Sequence, residues 1–125
     1  MRKPCDDRRG KMSNETLLQR QFRFTRLTAL LLSWAHAHGY ELTEGDGYRD
    51  PRVFGPIGTR RGYGESNSAH KHRLAHDWNL FRDGVYLTST EDHRPLGEFW
   101  ESLGGTWGGR FQDGNHYSLS HNGIA

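Results

Sequence analysis

The chain has 125 residues, of which 33% are hydrophobic and 16 are glycine, so one domain with a small core and much loop is expected. Its 17 Lys+Arg against 15 Asp+Glu give a net charge of +2, which argues against a polybasic nucleic-acid binder but leaves a mild attraction to anionic polymers. Cys5 is the only cysteine, which excludes an internal disulfide and a cysteine-based zinc site.

The first stretch, MRKPCDDRRGKMSNE, is charged and aperiodic, and residues 1–14 are read as a flexible arm. It lacks the apolar stretch of a secretory signal. The longest apolar run, Ala29 to Leu32, is far too short to cross a bilayer. A soluble chain made in the cytoplasm, with no membrane insertion, is therefore expected. Residues 15–125 are taken as one domain.

From Glu15 to His38 the pattern is helical. Phe24, Leu27, Leu31, Trp34 and His38 recur at three- and four-residue steps on one face, with Leu17 and Phe22 on a short preceding helix. Gly39 suits a left-handed helix end. Tyr40 to Thr43 reads as a short strand, and Gly45-Asp46-Gly47 as a turn. Residues 50–68 contain Pro51, Pro56 and many small residues without a period, and so read as a long loop.

Ala75 to Phe81 reads as a buried strand. Asp83-Gly84 marks a hairpin turn into Val85-Tyr86-Leu87. Pro95 to Leu103 reads as a short helix ended by Gly104-Gly105, and Trp107 to Phe111 as a strand. Asp113-Gly114-Asn115 is a turn delivering His116, and Tyr117 to Leu119 a final strand. Mixed helices and antiparallel strands make the fold class α+β.

The histidines are concentrated in SAHKHRLAHDWNLF, Ser68 to Phe81. A catalytic zinc takes three protein ligands and keeps a fourth position for water, with each ligand roughly 2 Å from the ion. His70 and Asp77 are too far apart along a straight helix to share one ion, since seven residues rise about 10 Å. The chain must bend between them, with His70 on a loop and Asp77 on the following strand. Alternation there puts Ala75, Asp77 and Asn79 on one face, and His76, Trp78 and Leu80 on the other. Near the end, Asp113 and His116 are three residues apart across a tight turn, so one can bind a metal while the other handles protons. Taken singly, a loop histidine is more often solvated than a ligand, and Asp113 in Asp-Gly-Asn is a turn former. His36 and His38 read as incidental. His72 and His76 can also sit one helical turn apart, so spacing alone leaves the ligand choice open.

Ser68, His70, Ala75 and Asp77, as S-x-H-x-x-x-x-A-x-D, followed by Asp113 and His116 as D-x-x-H, resemble the zinc D-Ala-D-Ala carboxypeptidase family. That family includes bacterial D,D-peptidases and dipeptidases and the phage L-alanyl-D-glutamate endolysins. The compact phage-type members are most similar, through GYRDPRVFG, HKHRLAHDWNLF and HRPLGEFWESLGGTWGGRFQDGNHYS in that order. The resemblance runs from about Phe24 to Ser118. It implies zinc ligands His70, Asp77 and His116, one zinc per chain, and Asp113 as the catalytic carboxylate. Arg49, in GYRD, matches an arginine facing the substrate, and Ser68 a residue that orients the site. The implied fold is a small, mostly antiparallel sheet packed on helices, shared with the hedgehog signalling domain. Four positions depart from the common pattern. Arg73 stands where many members have glycine, His76 replaces an apolar residue, Ser118 replaces a frequent Glu, and Asp113 stands where many carry Glu.

The resemblance implies hydrolysis of a stem-peptide bond in bacterial peptidoglycan, as an L-Ala-D-Glu endopeptidase or a D-Ala-D-Ala carboxypeptidase. A monomer is expected, made in the host bacterial cytoplasm without a signal peptide. It would act on the wall as a phage lysis enzyme once the membrane is permeabilised. Two rival readings belong to other classes. A metal-dependent nuclease would suit the GNH and HNG triplets but calls for a denser basic face. A non-enzymatic cell-wall or virion binding module would hold structural zinc, which normally has four protein ligands.

Overall fold

The computed structural model of the protein describes residues 14–50 and 68–124. The expected arm up to Met12-Ser13, with Cys5, and most of the expected long loop, residues 51–67, lie outside the described residues. Within them the architecture is α+β: two α-helices pack on a five-stranded antiparallel sheet.

Helix α1 spans Leu17–Ala37. Thr16 starts it with a capping box: its hydroxyl accepts from the Gln19 amide, and the Gln19 side chain accepts from the Thr16 amide. Leu17 and Phe22 therefore belong to this same helix and not to a separate one. No glycine or proline interrupts the run between them. The helix buries Phe24, Leu31 and Ala35, while Phe22 stays exposed. His38 ends it with its ring stacked on Trp34 and its Nδ1 2.8 Å from the Trp34 carbonyl. Gly39 takes the expected left-handed conformation, φ +87°.

Strand β1 (Glu41–Glu44) pairs antiparallel with β2 (Ala75–Arg82). A two-residue turn follows β2, with Asp83 and Gly84 both at positive φ. It returns the chain into β3 (Val85–Leu87), as such a turn should. A short 3-10 turn at Glu91–His93 leads into α2 (Arg94–Ser102), which has proline in its first turn. Strand β4 (Thr106–Trp107) and strand β5 (His116–Ser118) complete the sheet, in the order β1-β2-β5-β4 with β3 also on β2.

The core lies between the helices and this sheet. Leu31, Leu74, Leu80, Leu96, Trp100, Trp107, Tyr117 and Leu119 are fully enclosed. Trp100 meets Phe24 edge-on, and Trp34 stacks on Phe99, which locks α1 against α2. Among the described residues no helix is long and apolar enough to cross a membrane.

Two local expectations differ from the structure. Trp107 to Phe111 is not a strand: pairing stops at Trp107, and Gly108–Phe111 rolls into a 3-10 turn. Gly108 causes this, because a Cβ there would collide with the Asp113 carbonyl and the His116 Cβ. The segment must curl under the Asp113 turn, and its Gly108 carbonyl accepts from the Asp113 amide at 2.9 Å. Gly45-Asp46-Gly47 is likewise not a turn. It continues beside β2, with Gly45 N–H donating to the Asp77 carbonyl (2.9 Å) and Asp77 N–H to the Asp46 carbonyl (2.7 Å).

Candidate metal centre

That last pair of bonds shapes the site. Both backbone groups of Asp77 are used on the β1 side, so Asp77 faces its partner His116 on β5 across a non-hydrogen-bonded position. In antiparallel sheets such positions bring side chains closer than hydrogen-bonded ones do. The Asp77 Oδ1 and His116 Nδ1 lie 3.4 Å apart.

His70 approaches from the other side. Ser68 caps the 3-10 turn Ala69–His72, its Oγ accepting from the His70 amide at 3.1 Å. Arg73 closes the turn at φ 61°, the left-handed region, with its guanidinium 3.9 Å from the centre of the Tyr48 ring. Glycine adopts this conformation without cost, and for arginine the cation–π contact offsets part of the strain. The bend then releases β2, as the spacing of His70 and Asp77 requires. His70 Nδ1 lies 2.7 Å from the Gly47 carbonyl and donates to it. Its Nε2 lies 3.2 Å from Asp77 Oδ1.

His70, Asp77 and His116 each offer one ligand atom, and all three atoms lie within 4.8 Å of one another. Tetrahedral zinc ligands at roughly 2 Å from the ion stand about 3.3 Å apart, which the two measured separations match. A second observation agrees. Asp77 Oδ1 is buried between the two imidazole nitrogens without a well-aligned hydrogen bond to either, an arrangement that a cation among the three would satisfy. Burial pushes the Asp77 carboxyl up, but His116 and His70 together outweigh it and hold the group well below the usual carboxylate range. The residues fit a divalent cation with nitrogen and oxygen ligands.

Asp113 stands on the neighbouring turn, its Oδ2 4.0 Å from His116 Nδ1 and its side chain about half exposed. Burial raises its pKa, with the charge of Asp77 adding to the effect and His116 opposing it. The turn is braced from below: Trp107, wholly buried, donates its indole N–H to the Gly114 carbonyl at 2.7 Å. Trp107 is therefore core and not cleft lining. Phe111 is exposed, with its ring edge-on to His116 at 5.8 Å.

Arg49 bonds Asp46 through Nη2 (3.1 Å) and Nε (3.3 Å), and reaches Ser68 Oγ at 3.4 Å. Its Nη2 is 3.9 Å from Asp77 Oδ2, and its backbone N–H donates to the His70 carbonyl. Arg49, Ser68, His70, Asp77, Asp113 and His116 are thus brought together. His36, His38, His72 and His76 stay outside: His76 stacks on Trp78, and His72 faces His121. Because Arg73 ends the turn, His72 and His76 share no helix. Ser118 is buried in the sheet, within 3.4 Å of the Thr106 carbonyl.

The Gly45–Arg49 segment is what sequence reasoning missed. Its backbone and side chains tie both His70 and Asp77, yet locally it carries only turn formers. The sole hint was Arg49 in GYRD.

A family model described as D-alanyl-D-alanine carboxypeptidase matches residues 61–119. The match supports the zinc peptidase family that the motifs resemble. No curated protein matches the chain.

Proposed function

We propose, with that family match as premise, that the protein is a zinc-dependent peptidoglycan peptidase that hydrolyses a peptide bond in the stem peptide. The observation that carries the reading is the convergence of His70 Nε2, His116 Nδ1 and the buried Asp77 Oδ1, with Asp113 beside them. His70, Asp77 and His116 hold one zinc per chain. Bound there, the ion lowers the pKa of water towards about 7 and polarises the substrate carbonyl.

The chain's own residues do the rest. Asp113 accepts the proton of the attacking water and returns it to the leaving nitrogen. Burial raises its pKa, which suits a group that must both take and release a proton. Arg49, held by Asp46 and Ser68, presents its guanidinium to the carbonyl oxygen as negative charge develops. Ser68 orients both His70 and Arg49 through one hydroxyl.

Three donors with a carboxylate nearby suit an open site better than a closed structural one, which favours the enzyme over a binding module. The peptidase domain occupies residues 15–125 and acts as a monomer on bacterial peptidoglycan, in the role of a phage lysis enzyme. Digestion of purified peptidoglycan by the zinc-loaded protein, followed by mass spectrometry of the muropeptides, tests this. New stem-peptide termini are expected, at L-Ala-D-Glu or with loss of terminal D-Ala. Unaltered muropeptides would overturn the reading.

A further inference from the structure

On the edge of β2 opposite β1, two partners lie end to end: β5 beside Ala75–Asp77 and β3 beside Leu80–Arg82. Where one gives way to the other, a cavity of about 210 Å³ opens. Asn79, Thr90, His93, Gln112 and Asn115 line it together with Asp113. Asn79 follows Asp77 by two residues along β2, so it shares that face and stands about 7 Å further on.

Asp113 apart, this lining is uncharged and mostly hydrogen-bonding: carboxamides, an imidazole and the hydroxyls of Tyr86, Thr88 and Thr90, with Leu87 the one apolar side chain. His93 is 3% exposed, and burial lowers its pKa to about 4, so the ring is neutral. The Tyr117 hydroxyl, 2.8 Å from His93 Nδ1, fixes the ring's orientation. Among the described residues no Lys or Arg lines the cavity to pair with a free carboxylate, whereas an amide finds both donors and acceptors. The volume is below the roughly 300 Å³ of ordinary small-molecule sites and suits a single residue.

We infer that this cavity is a substrate subsite that takes an uncharged, amide-bearing residue of the stem peptide, two positions from the bond that is cut. The inference rests on the peptidase reading above. An extended peptide places alternate residues about 7 Å apart. That is the spacing from Asp77 to Asn79, so a chain laid along this face with its reacting carbonyl at the metal centre puts its second neighbour in the cavity.

The test uses the full-length, zinc-loaded protein and two variants of the lining, Thr88→Trp and Thr90→Val. Thr88 is an exposed cavity residue, so tryptophan there plugs the cavity without entering the core. A synthetic stem pentapeptide and N-acetylglucosamine are titrated separately, followed by NMR shifts of His93 and Asn115. KM on muropeptides is measured in parallel. The peptide should shift both residues and the sugar should not. Thr88→Trp should weaken peptide binding and raise KM by roughly tenfold or more, and Thr90→Val by about three- to tenfold, with zinc content unchanged. Equal peptide binding by both variants, or shifts produced by the sugar alone, would overturn the subsite. If the wall is cut and both variants keep the wild-type KM, the subsite falls and the peptidase stands. If the peptide occupies the cavity but the wall yields no new termini, the peptidase reading falls and the peptide site stands.

Discussion

The two sides of the candidate centre are held in opposite ways. On one side, His70 and Asp77 are bound through backbone groups of Asp46, Gly47 and Arg49 as well as through side chains. On the other, the Asp113 side chain stands half exposed on a glycine turn whose backbone is braced by Gly108, Trp107 and the Trp78 amide. Metal ligands must hold their geometry, because each bond tolerates only small displacements. A proton carrier must reach first a water and then a leaving nitrogen, so it benefits from freedom. The structure divides rigidity along that line.

Removing a residue from the rigid side should have the largest effect. His70→Ala is expected to lose stoichiometric zinc and all measurable turnover. At zinc a thousandfold above its Kd, a bound ion contributes about 4 kcal/mol of stability. Thermal melts with and without chelator read this directly: chelation should destabilise the wild type and leave the variant unmoved. A His70→Ala protein that keeps zinc while His72→Ala loses it would reassign the ligand.

The open side should separate chemistry from stability. Asp113→Asn keeps shape but cannot take a proton, so turnover should fall about a hundredfold to ten-thousandfold. Zinc content and melting temperature should remain at wild-type values. If the amide variant also loses zinc, Asp113 belongs with the ligands and the division fails.

Arg49 bridges the two sides. Its replacement by Ala should cost about a hundredfold to a thousandfold in turnover, as loss of an oxyanion donor does. Lys should cost less, keeping the charge but not the planar fork that grips Asp46. Wild-type rates in both variants would reduce Arg49 to a partner of Asp46.

His93, behind the Asp113 turn, sharpens the comparison through pH. Its pKa is lowered from 6.5 to about 4 by burial. As pH falls below 6.5 the unfolded chain takes up the proton first, so stability drains between pH 6.5 and 4. Integrated over that window the loss is about 3 kcal/mol. Denaturant titrations at stepped pH should show it, and His93→Gln should flatten the slope there. Acid loss from Asp77 belongs to a lower window, because its carboxyl is shifted downward. Smallest of all, Thr16→Ala removes the α1 cap, far from either side, and should cost about 1 kcal/mol with unchanged kcat.

What could be read in advance follows the range of the forces involved. Helix α1, the Asp83-Gly84 hairpin and strand β2 announce themselves through periodicity and turn chemistry, which act over a few residues. The grouping of His70, Asp77, Asp113 and His116 came from the family pattern, since their convergence is made by β2 pairing with β5. Gly45-Asp46-Gly47 misled because its local chemistry says turn while its hydrogen bonds come from Asp77, distant in the chain. Trp107 to Phe111 misled for a related reason. Its aromatic ends favour a strand, but Gly108 packs against Asp113 and His116, and only the folded neighbourhood supplies that constraint.

The register that sets Asp77 opposite His116 also has a meaning in time. Strands β2 and β5 can meet only after the intervening β3, α2 and β4 have been drawn into a loop, a non-local step of the kind that slows folding. A slip of one residue would turn Asp77 to the opposite face and scatter the three donors. An ion held by all three donors would stabilise that single alignment over a slipped one, because the slipped sheet could not present all of them to it.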